Sequence, residues 1–506
     1  MYKRQDYGLD ILGYSVHSQF FDYDLDGDLD MYLSNNSINS STNIMDARKG
    51  LRYKEDDLGG DLLYRNDNGF FIDVTKNSGI YTSSIGFGLG VSISDINLDG
   101  WPDIYVANDF FEKDYLYINN HDGTFKESSE DLIGELSLGS MGVDIVDMNN
   151  DGYPEIFVTE MLPELESRLK TKSIFDDWDK YHLKEKNGYH RQFPRNMFQL
   201  NNSLGVNDKV SFSDISRYSG VSATDWSWGV QMADFDLNGT NEIFVTNGIA
   251  KDLLDQDYID FYNNSSTIKE ILLEKGEVIK ELIDNIPSQP LANYMFSQTS
   301  YLKYNDISKQ WGLEQKGFSN GSAYGDIDND GDLDLVVNNI NSSPFIYRND
   351  TNLGKQKNNF LTVEVNNKYG APSIGTKVML KAGEKKYFKE LFLMRGAMSF
   401  IDSRLNFGLG ENNVIDTLMI TWPDRKTTIR TNIQVNQFLS FSQNDAVSNN
   451  GRKTKKAHEQ IFKDVTSQLN LDYHHKENNF VDFDWQRLLF HLSLIHISEP
   501  TRLWTI

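Results

Sequence analysis

Cysteine is absent from this chain of 506 residues. That excludes disulfides, thiolate metal sites and a cysteine nucleophile. It leaves the compartment open, because an exported bacterial protein can also do without cysteine. No apolar run approaches eighteen residues, so a transmembrane helix is excluded as well. Basic residues are scarce: 49 Lys and Arg stand against 74 Asp and Glu, a formal charge of -25. Such a surface repels phosphate backbones and argues against nucleic acid as a partner. Catalytic signatures are missing too. The nine histidines form no HExxH or similarly spaced cluster, and no G-x-S-x-G elbow occurs. What is present is 39% hydrophobic and 12% aromatic residues, enough to fold two or three soluble domains.

The acidic residues are not scattered. Five segments share the pattern D-x-[DN]-x-[DN]-G-x-x-[DE], beginning at Asp22, Asp95, Asp147, Asp234 and Asp326, with spacings of 73, 52, 87 and 92 residues. A repeated unit of roughly fifty residues with insertions is implied. Oxygens at positions 1, 3, 5 and 9, with the backbone carbonyl at position 7, can wrap a hard cation such as calcium, and glycine at position 6 permits the sharp turn. The first loop offers Asp22, Asp24, Asp26 and Asp30, with Asp28 at position 7. The second offers Asp95, Asn97, Asp99 and Asp103, with Trp101. The third offers Asp147, Asn149, Asp151 and Glu155, with Tyr153. The fourth offers Asp234, Asp236, Asn238 and Glu242, with Thr240; the fifth Asp326, Asp328, Asp330 and Asp334, with Asp332. Seventeen of these side-chain positions are carboxylates. Packing them without a cation is costly, because like charges at short range repel or hold protons. About five Ca2+ sites are expected.

An EF-hand needs a glutamate at position 12 and flanking helices. Position 12 is instead Leu33, Val106, Val158, Val245 and Val337, within the β-prone runs MYLSN, IYVAN, IFVTE, IFVTN and LVVNN. Before the later loops stand short runs opening at Gly90, Gly142, Gly229 and Gly321, with His17 at the equivalent place in the first. Each loop therefore joins two strands. LLYRND, YLYINN, NMFQLNN and FIYRND read as third strands, and FIDVTKNSGI and FSDISRYSGV supply a fourth. Four short strands per unit, tiled along the chain, describe a β-propeller blade. Residues 162–190 and 251–287 interrupt the tiling with helical periodicity and are expected on one face.

These loops and flanks resemble the FG-GAP or VCBS repeats of integrin alpha propellers and of many secreted bacterial proteins. GLGVSISDINLDGWPDIYVANDF, GVSATDWSWGVQMADFDLNG and FVTNGIAKDLLDQDYIDF are similar, more narrowly, to the cartilage-acidic-protein type. The resemblance implies an all-β fold: a propeller over residues 6–350, seven-bladed in such families, with five blades visible here and an N-terminal truncation. Residues 358–442 lack aspartate loops and alternate as a small antiparallel β domain. Ile374–Gly375, RGAMSF from Arg395, RLNFGLG from Arg404 and ITWPD from Ile420 resemble the ASPIC/UnbV module that follows such propellers. Gly408 and Gly410 precede no helical pattern, so a structural turn is expected rather than a phosphate loop.

Residues 443–458 read as a polar linker, and 459–491 as the start of a second propeller, since IFKDVTSQLNLDY repeats the FIDVTKNSGI theme. MYKRQ at residues 1–5 and LSLIHISEPTR, within 492–506, resemble sequencing-adapter translations read in opposite directions. Both are expected to be artefacts on a fragment, and the absence of a signal peptide is then uninformative.

The function these features imply is a calcium-binding extracellular, periplasmic or cell-surface propeller of adhesion type, non-catalytic, binding a carbohydrate or protein partner. Asp225-Trp226-Ser227-Trp228 is the aromatic candidate for stacking on a sugar, against packing between blades. His474–His475 reads as incidental. The alternative is a secreted carbohydrate-active enzyme with a propeller-face site, which requires convergent acidic residues outside the aspartate loops and near the propeller axis.

Overall fold

The computed structural model describes residues 3–38, 46–172, 178–203, 210–263, 283–353 and 358–447. The chain divides into two units, one of residues 1–175 and 183–449 and one of 176–182 and 450–506. The linker beyond 447, the second-propeller segment, His474–His475 and the C-terminal segment lie outside the described residues. In the described part of the second unit, Trp178 stacks on Tyr181 at 5.6 Å. The first unit holds both the repeats and the β module.

Its first part is five antiparallel sheets, one per aspartate loop. Blade 1 comprises Ser15–Phe21, Asp30–Asn35, Leu62–Asp67 and Phe70–Asp73; blade 2 comprises Gly88–Ser94, Asp103–Asn108, Tyr115–Asn119 and Phe125–Glu127. Blade 3 comprises Val143–Val146, Glu155–Val158, Met197–Asn201 and Phe212–Asp214; blade 4 comprises Ser227–Ala233, Glu242–Asn247, Tyr294–Ser300 and Lys303–Asp306. Blade 5 has three described strands, Ser319–Gly325, Asp334–Asn339 and Phe345–Tyr347. The five blades visible in the sequence are thus present in order. Tyr294–Ser300, the third strand of blade 4, and the outer strands of blades 2 and 4 are additional to those read from the sequence.

Why the second strands lack period-two alternation is plain from the packing. Ile104 and Val106 point into one core with Phe21, Tyr32 and Leu63 of blade 1. Tyr105 and Ala107, between them, point into another with Ile156, Val158 and Met197 of blade 3. Phe157 faces onward to Val230, Ile243 and Phe296, and Phe244 onward to Leu335 and Val337. A strand sandwiched by neighbours on both faces must be apolar throughout. Burying each of these large side chains contributes about 1.5–3 kcal/mol.

The glycines that open the inner strands are there for close approach. A Cβ on Gly90 would stand 2.7 Å from the Met141 carbonyl oxygen, and one on Gly142 2.3 Å from that of Trp228. The inner strands of blades 2 and 3 therefore touch the backbone of the blade that follows. His17, at the corresponding place in blade 1, is buried, and desolvation lowers its pKa to about 4.

Among the described residues of the insertions, helix covers Glu166–Lys172 and Trp178–Lys186 in the first and Gln256–Asn263 in the second. Residues 264–282 lie outside the described residues.

In the β module, Leu405–Gly410, Asn359–Asn366 and Gln437–Ser442 form one sheet, and Lys385–Glu390, Lys377–Ala382, Val414–Thr421 and Thr427–Gln434 another. Val363, Leu380, Phe407, Leu418 and Trp422 fill the space between. One pair departs from the antiparallel expectation: Gln437–Ser442 returns parallel to Asn359–Asn366.

A hairpin of this module, Met394–Arg395 paired with Ser399–Phe400, reaches the inner strands of four blades. Gln19 donates to the Met394 carbonyl at 3.3 Å. Gly396 and Val143 exchange backbone hydrogen bonds at 2.9 and 3.3 Å. Gln231 donates to the Arg395 carbonyl at 3.4 Å, and the Ser322 amide to Ser399 Oγ at 3.2 Å. The Arg395 guanidinium, buried, donates to Asp144 Oδ1 and the Ile145 carbonyl, each at 3.0 Å. The segment RGAMSF, noticed as a landmark in the sequence, is thus the axle of the assembly. No helix among the described residues is long and apolar enough to cross a membrane.

Candidate metal loops and axial face

The five loops share one backbone. Position 6 is Gly27, Gly100, Gly152, Gly239 or Gly331, with φ from 89° to 102°. Position 4 is left-handed as well: Leu25, Leu98, Asn150, Leu237 and Asn329 have φ from 57° to 61°. For leucine this conformation is costly. The first aspartate compensates by accepting amides across the turn. The Asp99 amide donates to Asp95 Oδ1 at 2.9 Å, and the Gly100 amide to Asp95 Oδ2 at 2.8 Å. The same pair recurs from Asp26 and Gly27, Asp151 and Gly152, Asn238 and Gly239, and Asp330 and Gly331.

Position 9 ties the turn to the sheet. One oxygen of Asp30, Asp103, Glu155, Glu242 and Asp334 accepts the position 2 amide at 2.7–3.1 Å. The other oxygen of Asp30, Asp103 and Asp334 takes an amide of the third strand or its end, from Asn66, Asn119 and Asn349. The position 7 amides of Asp28, Trp101, Tyr153, Thr240 and Asp332 donate to the side chain at position 5.

The structure gathers the sequence-singled ligands unequally. Oxygens of Asp22, Asp24 and Asp30 lie within 4.8 Å of one another, as do those of Asp234, Asp236 and Glu242 and those of Asp326, Asp328 and Asp334. In loop 3, Asn149 turns its amide nitrogen toward Asp151 and Glu155, at 3.1 and 3.4 Å. In loop 2, Lys377 pairs with Asp95, and His121 Nε2 stands 2.8 Å from Asp99.

Burial and mutual repulsion raise the pKa of several of these acids. Desolvation, then Asp26 and Asp24, pushes Asp22 up to about 7. Burial raises Asp30 to about 8 and Asp147 to about 7, and burial with Asp236 raises Asp234 to about 7. Burial also holds Glu242, Glu155 and Asp103 well above the ordinary carboxylate range. Asp332 at position 7 also rises to about 7. A divalent cation in contact with such a cluster favours the ionised form.

At the opposite ends of the second strands lies a second acidic feature. Asn35, Asn108, Asn247 and Asn339 each donate a side-chain hydrogen bond to a backbone carbonyl, at 2.6, 2.9, 3.1 and 3.0 Å. Blade 3 has Glu160 at this position. It is 3% exposed, and its Oε2 has no hydrogen-bond partner among the described residues. Asp109 Oδ1 and Glu160 Oε1 lie 3.1 and 3.5 Å from where a Cβ on Gly139 would stand. Burial raises Asp109 to about 6 and, with Asp109 adding, Glu160 to about 8. Reading the five repeats against one another could have found Glu160 from sequence alone.

The tryptophan motif is built in. Asp225 is clamped by Arg168, whose Nη2 donates to Oδ1 at 2.8 Å, and Trp228 Nε1 donates to the Gly248 carbonyl at 2.9 Å. Both tryptophans remain partly exposed, their rings 6.4 Å apart. Gly408 is not at the turn expected for it. It sits inside a strand, where a Cβ would strike Asp234 and Leu237 of loop 4.

Residues 95–158 match the family model described as an FG-GAP-like repeat, and residues 366–448 the model described as ASPIC and UnbV. Cartilage acidic protein 1 of Xenopus tropicalis is 27% identical over 352 residues, 68% of this chain and 43% of that protein. The Homo sapiens protein of the same name is 25% identical over 369 residues, 71% of this chain and 44% of that protein. Integrin alpha-6 of Gallus gallus is 34% identical over 145 residues, 26% of this chain and 14% of its own length. The chain spans less than half the length of the cartilage acidic proteins it matches. Among solved structures, a lectin of Agrocybe aegerita covers 67% of each chain at 13% identity, with a TM-score of 0.31 too low to argue from. Strand order, loop geometry and both family matches agree: the chain carries FG-GAP-like repeats followed by an ASPIC/UnbV module, and it is similar to the cartilage acidic proteins.

Proposed function

We propose that this is a non-catalytic, calcium-stabilised extracellular propeller that binds a protein or carbohydrate partner. The observation that carries it is the convergence of three carboxylates in each of loops 1, 4 and 5, on a backbone that all five loops share. Oxygen-only donors with a flexible coordination shell suit Ca2+ better than Mg2+. Extracellular calcium concentrations match weak sites of this kind. The partner is assigned to the face opposite the loops, because the β module covers the loop face: Tyr387 and Gly408 adjoin loop 4, and Phe360 adjoins loop 5. A cation that binds only the folded state raises its melting temperature. Calorimetric melts in 2 mM CaCl2 and in EGTA test this, and identical curves for the folded protein would refute it.

A second reading, a carbohydrate-active enzyme, has one observation in its favour. Asp109 and Glu160 are acids outside the loops, near the inner strands, with both pKa values raised. Glycosidase chemistry uses such a pair. Release of reducing sugar from a polysaccharide panel, abolished in Glu160→Gln, would favour this reading over the first.

A further inference from the structure

Loop 2 differs from its four siblings in what surrounds it. Lys377 of the β module forms a hydrogen-bonded ion pair with Asp95, the position 1 carboxylate. Among the described residues no other loop has a lysine or arginine bonded to that carboxylate. Arg404, at loop 5, reaches the Asp326 backbone oxygen and Asn329 while its carboxylate partner is Asp402. Lys377 is held in place. It faces Glu390 across the module sheet, with Nζ 3.7 Å from Oε1. Glu390 Oε2 in turn accepts from Ser94 Oγ at 2.8 Å and from the Asp95 amide at 3.1 Å. Position 5 has an imidazole neighbour of its own. His121 Nε2 lies 2.8 Å from Asp99 Oδ2 and stacks on Trp101 at 5.0 Å, and Arg425 lies 5.2 Å over the same indole.

The loop 2 backbone is nevertheless the same, with Leu98 and Gly100 left-handed and Asp95 accepting both amides. Asp95 thus braces the turn and pairs with Lys377 at the same time. We propose that the Lys377 ammonium replaces the metal ion in loop 2, so that a divalent cation and the docked β module compete for Asp95. An ammonium supplies one positive charge and up to three donors to a site that would otherwise gather three carboxylates. The module thus fixes its own orientation by filling one loop of the propeller, while loops 1, 4 and 5 keep their carboxylates for a cation. This inference rests on the calcium reading of those loops.

Equilibrium dialysis of the whole chain against radioactive Ca2+ tests it by counting ions bound per chain. Asp95→Asn is expected to leave the wild-type count unchanged, whereas Asp234→Asn and Asp326→Asn each lower it by one. Lys377→Met is expected to raise the count by one, and Asp95→Asn in that background to return it. A count lowered by Asp95→Asn alone, or unchanged by Lys377→Met in a folded protein, overturns the inference while the calcium reading stands. A wild-type count of zero overturns both. If Lys377→Met does not fold, the Asp95→Asn comparison decides.

Discussion

The buried pair of Arg395 and Asp144 allows a sharp test of how the β module is attached. Replacing Arg395 by methionine keeps most of the side-chain volume and removes the guanidinium. Asp144, fully buried, would lose the ion pair at 3.0 Å and keep the Met232 amide at 2.8 Å. The Ile145 and Glu390 carbonyls would each lose a donor. Burial already holds the Asp144 carboxyl above its ordinary range despite Arg395. An uncompensated carboxylate there is expected to cost about 3–5 kcal/mol. Asp144→Asn neutralises the acid while keeping an acceptor for Met232. In Arg395→Met/Asp144→Asn the loss should fall short of the summed single losses by about 1–3 kcal/mol. Urea denaturation followed by tryptophan fluorescence gives all four corners of the cycle. A cost below about 1 kcal/mol for Arg395→Met, or simple additivity, would refute the axial role of the hairpin.

Phe157→Ala, which empties the core between blades 3 and 4, should cost about 3–5 kcal/mol in the same denaturation assay. Gly142→Ala drives a Cβ against the Trp228 carbonyl and should lower the melting temperature markedly, whereas Gly134→Ala, with nothing within 4 Å, should not. Glu160 is held at about 8 against an ordinary 4.5. The folded state therefore binds that proton more tightly than the unfolded state, and stability falls as pH rises from about 4.5 through 8. Glu160→Gln should raise the melting temperature at pH 8 and leave it unchanged at pH 4. A gain of equal size at both would contradict the assignment.

The aspartate loops were legible because every ligand position, the glycine and the following apolar run lie within one short segment. The left-handed position 4 was not, since leucine occupies it in three loops and no local propensity favours that backbone. Only the repeated amide-to-aspartate bonding explains how it is held. The partners of loop 2 were equally hidden, because Lys377 and Asp95 are 282 residues apart and share no pattern. RGAMSF was visible as a landmark but not as an axle, for nothing local in those six residues says which strands they will meet. The partner of the aspartate in the tryptophan motif was hidden in the same way, since Arg168 and Asp225 are 57 residues apart.

Stacked repeats that touch only their neighbours unfold like a row of weakly coupled elements, and fraying can begin at either end. The module hairpin changes the connectivity here. By bonding to inner strands of blades 1, 3, 4 and 5 it acts as a hub with four spokes, so distant blades report on one another without passing through those between. Loss of any spoke then loosens the hub for the rest. The expected result is a single cooperative transition for propeller and module together, in place of blade-by-blade melting.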